Sequence, residues 1–133
     1  MSIRSIRVNP CAVRSKVQRK MIAEINVAYR PALVVLDGVE AFVTGGPDRG
    51  KRVSAEVVLA GTDRVALDAV GVAILRLFGT TPEVQRGPVF AQEQIARAVA
   101  LGLGVSRLQD IQFLTDDGPS AEYAARVQEM LER

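Results

Sequence analysis

At 133 residues the chain has the length of one domain, and a domain of this size buries roughly two-thirds of the surface its unfolded chain exposes. Apolar residues at 48% and charged residues at 24% exclude disorder over most of the length, and the absence of histidine excludes Ser-His-Asp catalysis, Cys-His catalysis and imidazole metal sites within these residues. The net charge of +2 hides an asymmetry, because residues 1–30 carry seven basic side chains against Glu24, a net +6, and the remainder is therefore net −4.

Residues 1–16 read as a basic N-terminal arm without sustained period, in which Ile3, Ile6 and Val8 suit a short strand. Arg4 to Lys20 is free of acids, yet Pro10 breaks its amphipathic period and serine is sparse, which argues against a transit peptide. No aromatic side chains interleave with these charges and no binding module is present, so the arm fits a partner-facing or solvated segment and argues against nucleic acid. Cys11 is the single cysteine. It excludes an internal disulfide and any zinc or iron–sulfur site ligated by this chain's cysteines alone, and fits a reducing cytoplasm. Its neighbours Arg14 and Lys16 favour a thiolate, but no base accompanies it.

Residues 17–133 read as a single α/β domain. Val17, Met21, Ile22, Ile25 and Ala28 recur at helical spacing up to Tyr29, and Pro31 ends the period. Ala32 to Leu36 is a continuous aliphatic run with the signature of a strand buried on both faces, and Glu40 to Thr44 either extends it or forms a second short strand. Gly45-Gly46-Pro47-Asp48-Arg49-Gly50 is turn chemistry and predicts a loop or hairpin tip. Glu56 to Ala60 is the next buried strand. Thr62 or Asp63 then caps a helix over Arg64–Phe78 that is apolar nearly all round and therefore central. Gly79 terminates it, Thr81-Pro82 opens a short segment reaching Gly87-Pro88, and Gln92 to Leu101 is an amphipathic helix ended by Gly102 or Gly104. Ile111 to Leu114 reads as a third strand, and Asp117-Gly118-Pro119-Ser120 opens a last helix with an apolar stripe through Tyr123, Val127, Met130 and Leu131. The pattern predicts a small mixed sheet of about three to four strands flanked by about four helices, since no crossover helix separates Leu36 from Glu56. Asp68 and Arg76 interrupt the longest apolar run, so no segment approaches the roughly 20 residues of a membrane span.

The candidate chemistry lies beside the aliphatic runs. Asp37 and Asp63 each follow one, and neighbouring strands of like direction would bring both carboxylates to one sheet edge beside Glu40, an arrangement suited to a hard cation such as Mg²⁺. The loop glycines Gly45, Gly46 and Gly50, with Arg49, Lys51 and Arg52 adjacent, suit a phosphate or carboxylate, although the spacing matches neither the dinucleotide fingerprint nor the P-loop. Asp68 is the anomaly, a carboxylate within a nearly all-apolar helix that demands a partner. Plainer roles fit the same residues: Asp37-Gly38 as a turn, Asp63 as a helix cap, the glycine loop as a hairpin tip, and Arg64 as the i,i+4 partner of Asp68.

Several segments carry a resemblance in their order and spacing: Ile22-Ala23-Glu24-Ile25-Asn26, Pro31 through Gly38, Gly45-Gly46-Pro47 with Gly50, Leu59-Ala60-Gly61-Thr62-Asp63-Arg64-Val65-Ala66-Leu67-Asp68-Ala69-Val70, and Ala100-Leu101-Gly102-Leu103-Gly104. From roughly Val17 to Phe113 the chain resembles the family known as domain of unknown function 362, whose members are often described as iron–sulfur cluster-binding proteins. The resemblance implies an α/β fold and offers no catalytic assignment. Nothing in residues 1–16 matches the N-terminal half of longer members, so the chain resembles the C-terminal portion of the family domain. The cysteine-rich motifs of some relatives are missing, so no iron–sulfur cluster is ligated by this chain alone.

These readings converge on a cytoplasmic α/β domain that binds a divalent cation or an anionic small molecule around Asp37, Glu40, Gly45, Gly46, Gly50, Asp63 and Asp68, with Asp37 and Asp63 as the metal ligands. The alternative is a subunit-interaction module, or a redox accessory domain completed by a partner chain. A portion of a larger domain leaves a sheet edge or an apolar helix face uncovered, so a homo-oligomer or a partner protein is expected.

Overall fold

The computed structural model describes residues 15–46 and 49–133. The strand expected through Ile3, Ile6 and Val8 lies outside the described residues, as do Cys11, Pro47 and all but the last two residues of the basic arm. Helix α1 spans Ser15–Ile25 and tightens into a 3₁₀ turn at Asn26–Ala28, in keeping with the helical period that Pro31 ends. Strands β1 (Val34–Phe42) and β2 (Arg52–Gly61) follow, then α2 (Arg64–Leu77), α3 (Pro82–Gln85), α4 (Glu93–Ala100) and α5 (Gly118–Glu132).

The two strands form an antiparallel hairpin running from Val34 opposite Gly61 to Phe42 opposite Arg52. The glycine loop is its connection. Gly50 sits at φ 145°, where a Cβ would strike the Thr44 carbonyl oxygen, so the loop closes only with glycine there. The register slips between Gly38 and Glu40, and Glu56 on the opposing strand adopts φ 53°, the left-handed residue of a β-bulge. Thr80 Oγ1 donates to the Val43 carbonyl at 2.7 Å, fastening the end of β1 to the segment after α2.

Helix α2 is the centre of the molecule. Val65, Leu67, Ala69, Val70, Ala73 and Ile74 are buried, and α2 packs on the hairpin, on α4 and on α5. Its neighbours in the core are Ala55 of β2, Val89, Ile95 of α4, and Val127 and Leu131 of α5. One end is fixed by Asp63, whose carboxylate accepts from the Ala66 amide, the N-cap expected from the sequence. At the other end Arg76 is 5% exposed. Its guanidinium donates to the carbonyls of Val84 at 2.8 Å, Gly87 at 2.8 Å and Arg86 at 3.3 Å, so it holds α3 and the following turn onto α2. Burial lowers its affinity for a proton from the ordinary arginine range.

Four features differ from the expectation. The described sheet has two strands, both antiparallel, instead of a mixed sheet of three to four. Ile111 to Leu114 has no ladder: Ile111 and Phe113 pack on the core while Leu114 is exposed, so the alternating burial of a strand is present but no neighbouring strand among the described residues supplies hydrogen bonds. Five α-helices are described instead of about four, because Pro82–Gln85 closes a turn of its own. The aliphatic runs of β1 and β2 are not buried on both faces. Leu36 and Leu59 face the core, whereas Val35 and Val58, on the opposite face, are 59% and 62% exposed.

Candidate binding groove

The antiparallel hairpin separates the acids that like-directed strands would have gathered. Asp37 lies within β1, opposite Val58, and its Oδ1 accepts from the Val39 amide at 3.0 Å, beside the register slip. Asp63 follows β2, near the Val34 end of β1, and both of its oxygens are engaged, Oδ1 by the Ala66 amide at 2.9 Å and Oδ2 by the Val105 amide at 2.8 Å. Gly104 explains the second contact: a Cβ there would fall on the Asp63 carboxylate, so only glycine lets the chain approach. Glu40 pairs with Arg52 across the hairpin at 3.2 Å, with both side chains about 60% exposed. Gly45, Gly46 and Gly50 form the hairpin tip beyond this pair. Among the described residues no three His, Cys, Asp or Glu side chains come together as a metal cluster.

Asp68 is placed differently. It borders a cavity of ≈ 500 Å³ between α1, the start of β1, α2 and α4, and also a second of ≈ 270 Å³ beneath the hairpin, where Asp37 contributes to the strand wall. Gln94 of α4 borders both. The larger cavity is a groove walled by Ile22, Leu33, Val35, Ala98 and Leu103, with Asn26, Tyr29, Arg64 and Gln94 as its other polar groups. Although the Asp68 residue is open to solvent on one side, the apolar packing around it raises its carboxyl above the ordinary carboxylate range.

The expected i,i+4 partner of Asp68 is turned elsewhere. Arg64 Nη1 donates to the Asn26 carbonyl at 2.7 Å and to Asn26 Oδ1 at 3.1 Å, and its guanidinium carbon lies 5.5 Å from the Tyr29 ring centroid. Asn26 is itself fixed, since its Nδ2 donates to the Ile22 carbonyl at 2.8 Å and its Oδ1 also accepts from the Tyr29 hydroxyl at 2.9 Å. Arg64 is thus clamped by the turn that ends α1. Of its five N–H donors the two on Nη1 are used and those on Nε and Nη2 are not. Sequence reasoning assigned neither Asn26 nor Tyr29 to a site, because they lie 38 and 35 positions before Arg64 and only the fold joins them.

Around the groove apolar side chains are exposed among the described residues. Val17, Met21, Ile22 and Ile25 of α1, Val27 and Tyr29 of the turn, Leu33 before β1, and Val35, Val39 and Val58 on the outer face of the hairpin are all between 47% and 62% exposed. Ile22, Tyr29, Leu33 and Val35 line the groove that joins the helix part of this surface to the hairpin part. Among the described side chains of α1 only Ala23 is buried, and α1 packs chiefly on α4, with Glu24 accepting from Arg97 at 2.7 Å.

The sequence profile of a family described as Domain of unknown function (DUF362) matches residues 7–73, which is 67 of the 133 residues. The chain belongs to this family. The DUF362 match begins ahead of α1, crosses the hairpin and stops within α2, so it takes in Asn26, Tyr29, Arg64 and Asp68. It occupies an N-terminal part of the chain, which corrects the span from Val17 to Phe113 on which the resemblance to a C-terminal portion was read: residues 7–16 are included, and Ala100 to Gly104 are not. No curated protein and no solved structure matches the chain. No helix among the described residues is long and apolar enough to cross a membrane.

Proposed function

We propose that the domain is an association module whose partner is a second copy of the same chain. The observation that carries this reading is the outer face of the hairpin, where Val35, Val39 and Val58 stand 50–62% exposed. A soluble fold rarely leaves such side chains contiguous with a half-exposed helix stripe unless a surface covers them. Full burial of one such side chain is worth about 1.5–3 kcal/mol at about 25 cal/mol per Å², so ten that are half exposed offer roughly 400 Å² of apolar area. With apolar atoms making about 60% of an interface, the patch extends to about 650 Å² per partner, close to the roughly 800 Å² of a standard interface.

Charge favours a second copy as the occupant. Residues 1–30 are net +6 and the remainder net −4, so a second copy brings charge of the opposite sign to each segment. The test is the mass in solution from light scattering over a range of concentrations, with Val35→Ser/Val58→Ser beside the parent chain. Twice the chain mass of 14.3 kDa is expected for the parent, and 14.3 kDa for the double variant with an unchanged circular-dichroism spectrum. A parent that stays at 14.3 kDa at tens of micromolar refutes the reading and leaves a partner of different sequence as the occupant.

A further inference from the structure

The geometry points to a second property of the α1–β1–α2–α4 groove: we infer that it binds a small zwitterion of the α-amino acid type, with Arg64 holding the carboxylate and Asp68 the ammonium group. Arg64 and Asp68 stand one helical turn apart on α2, a separation of about 5–6 Å between Cβ atoms, and both border the same ≈ 500 Å³ groove. Opposite charges at this spacing ordinarily pair with each other. Here they do not, because Asn26 and Tyr29 draw the guanidinium toward the end of α1, and among the described residues Asp68 has no cation within ion-pair distance and accepts no hydrogen bond.

The two charges differ in how they are held. Arg64 is fixed on one side by two acceptors and an aromatic face, and its remaining fork of N–H donors has the geometry that receives a carboxylate in bidentate fashion. That orientation is set before a ligand arrives, which lowers the ordering cost of binding. Asp68 stands on the groove wall without a counter-charge among the described residues, so an ammonium group beside it gains an ion pair. Gln94 supplies an uncommitted amide on the facing helix, able to donate to the ligand carboxylate or accept from its ammonium group.

Neither a simple anion nor a simple amine fits as well. An anion meets Arg64 but is repelled by Asp68, and an amine meets the reverse. In this groove a divalent cation finds Asp68 as the one carboxylate among the lining residues. A zwitterion matches both charges at once, and the walls formed by Ile22, Leu33, Val35, Ala98 and Leu103 call for an aliphatic side chain on it. The groove shares Ile22, Tyr29, Leu33 and Val35 with the self-association surface, so the test is run at a concentration where light scattering gives 14.3 kDa, and its outcome is then independent of whether a dimer forms.

The test is a thermal-shift and calorimetric panel on the full chain with glycine, alanine and leucine, each compared with N-acetyl-leucine, which lacks the ammonium group, and leucine amide, which lacks the carboxylate. Millimolar leucine is expected to raise the melting temperature by several degrees and both blocked forms to leave it unchanged. Asp68→Asn, whose side chain is solvent-open and whose folding is checked by circular dichroism, should abolish the leucine shift. Arg64→Lys, which keeps the charge and loses the fork, should weaken leucine binding at least tenfold. The inference is overturned if no amino acid shifts the melt, if either blocked form shifts it as far as leucine does, or if folded Asp68→Asn responds like the parent.

Discussion

Removing the Asp63 carboxylate measures how α2 is anchored, because each of its oxygens serves a different backbone amide: Ala66 N–H at 2.9 Å and Val105 N–H at 2.8 Å. Asp63→Ala loses the helix cap, about 1 kcal/mol, and also orphans the partly buried Val105 amide, a further 1–3 kcal/mol or so, for a total of about 3 kcal/mol. Asp63→Asn offers one acceptor and one N–H donor where two acceptors are needed, so one amide is satisfied and the other meets a donor, at a cost of about 2 kcal/mol. Asp63→Ser keeps the cap but is too short for Val105, and should resemble the Asn variant. For a chain of this length each kilocalorie moves the midpoint by roughly 3–5 °C, so the expected losses are about 6–10 °C for Asn and 9–15 °C for Ala. Urea unfolding at constant m-value is the assay. Gly104→Ala, whose Cβ falls on the Asp63 carboxylate, should be far less than additive with Asp63→Ala because both break the same contact. Losses below 0.5 kcal/mol for all three Asp63 variants, the level of an ordinary surface change, would refute the assignment of Asp63 as a double anchor.

Other perturbations separate the remaining parts of the structure. Asp68 has a carboxyl raised by desolvation, so the folded state binds a proton more readily than the unfolded chain just above the ordinary carboxylate range, and stability falls as pH rises through that window. Asp68→Asn should therefore melt higher than the parent at pH 7 and lose that advantage below about pH 4, as read from melts across pH in the absence of added amino acids. Arg76→Met keeps bulk but orphans the Gly87 carbonyl and leaves those of Val84 and Arg86 only the contacts from Gln92 Nε2, and should cost about 2 kcal/mol, with amide exchange rising first across residues 81–87. Gly50→Ala forces a Cβ onto Thr44 O at φ 145° and should lower the urea midpoint more than Gly79→Ala, a position where a Cβ meets nothing.

The helices were legible because their signals are local. Asp63 as a cap, the near-continuous apolar character of Arg64–Leu77 and the Asp117-Gly118-Pro119 start of α5 are each written within a few residues, and the structure places those elements within one or two positions. The hairpin tip was legible for the same reason. Which way the strands run was not, since Ala32 to Leu36 and Glu56 to Ala60 have the composition of buried strands whichever partner or cover they find, and their outer face is uncovered among the described residues. A third strand was read at Ile111 to Leu114 because alternation records which side chains enter the core and not whether a neighbouring backbone accepts hydrogen bonds. Within the groove Asp68 stood out by its apolar context. Its separation from Arg64 did not, because it depends on Asn26 and Tyr29, which reach Arg64 only through the turn that follows α1.

The slipped register of the hairpin limits the kind of assembly the chain can build. Val34 to Gly38 and Glu40 to Phe42 are the unbroken stretches of β1, and between them the Val39 amide turns to the Asp37 carboxylate while Glu56 bends the opposing strand. A further strand from another molecule would find at most five consecutive residues in register, too few for an endless stack of sheets to propagate along the edge. Contact through the outer face that carries Val35, Val39 and Val58 would have no such open direction, because two copies related by a two-fold axis consume each other's surface and stop. In the proposed dimer, the same irregularity that interrupts the ladder would favour a counted complex over a filament.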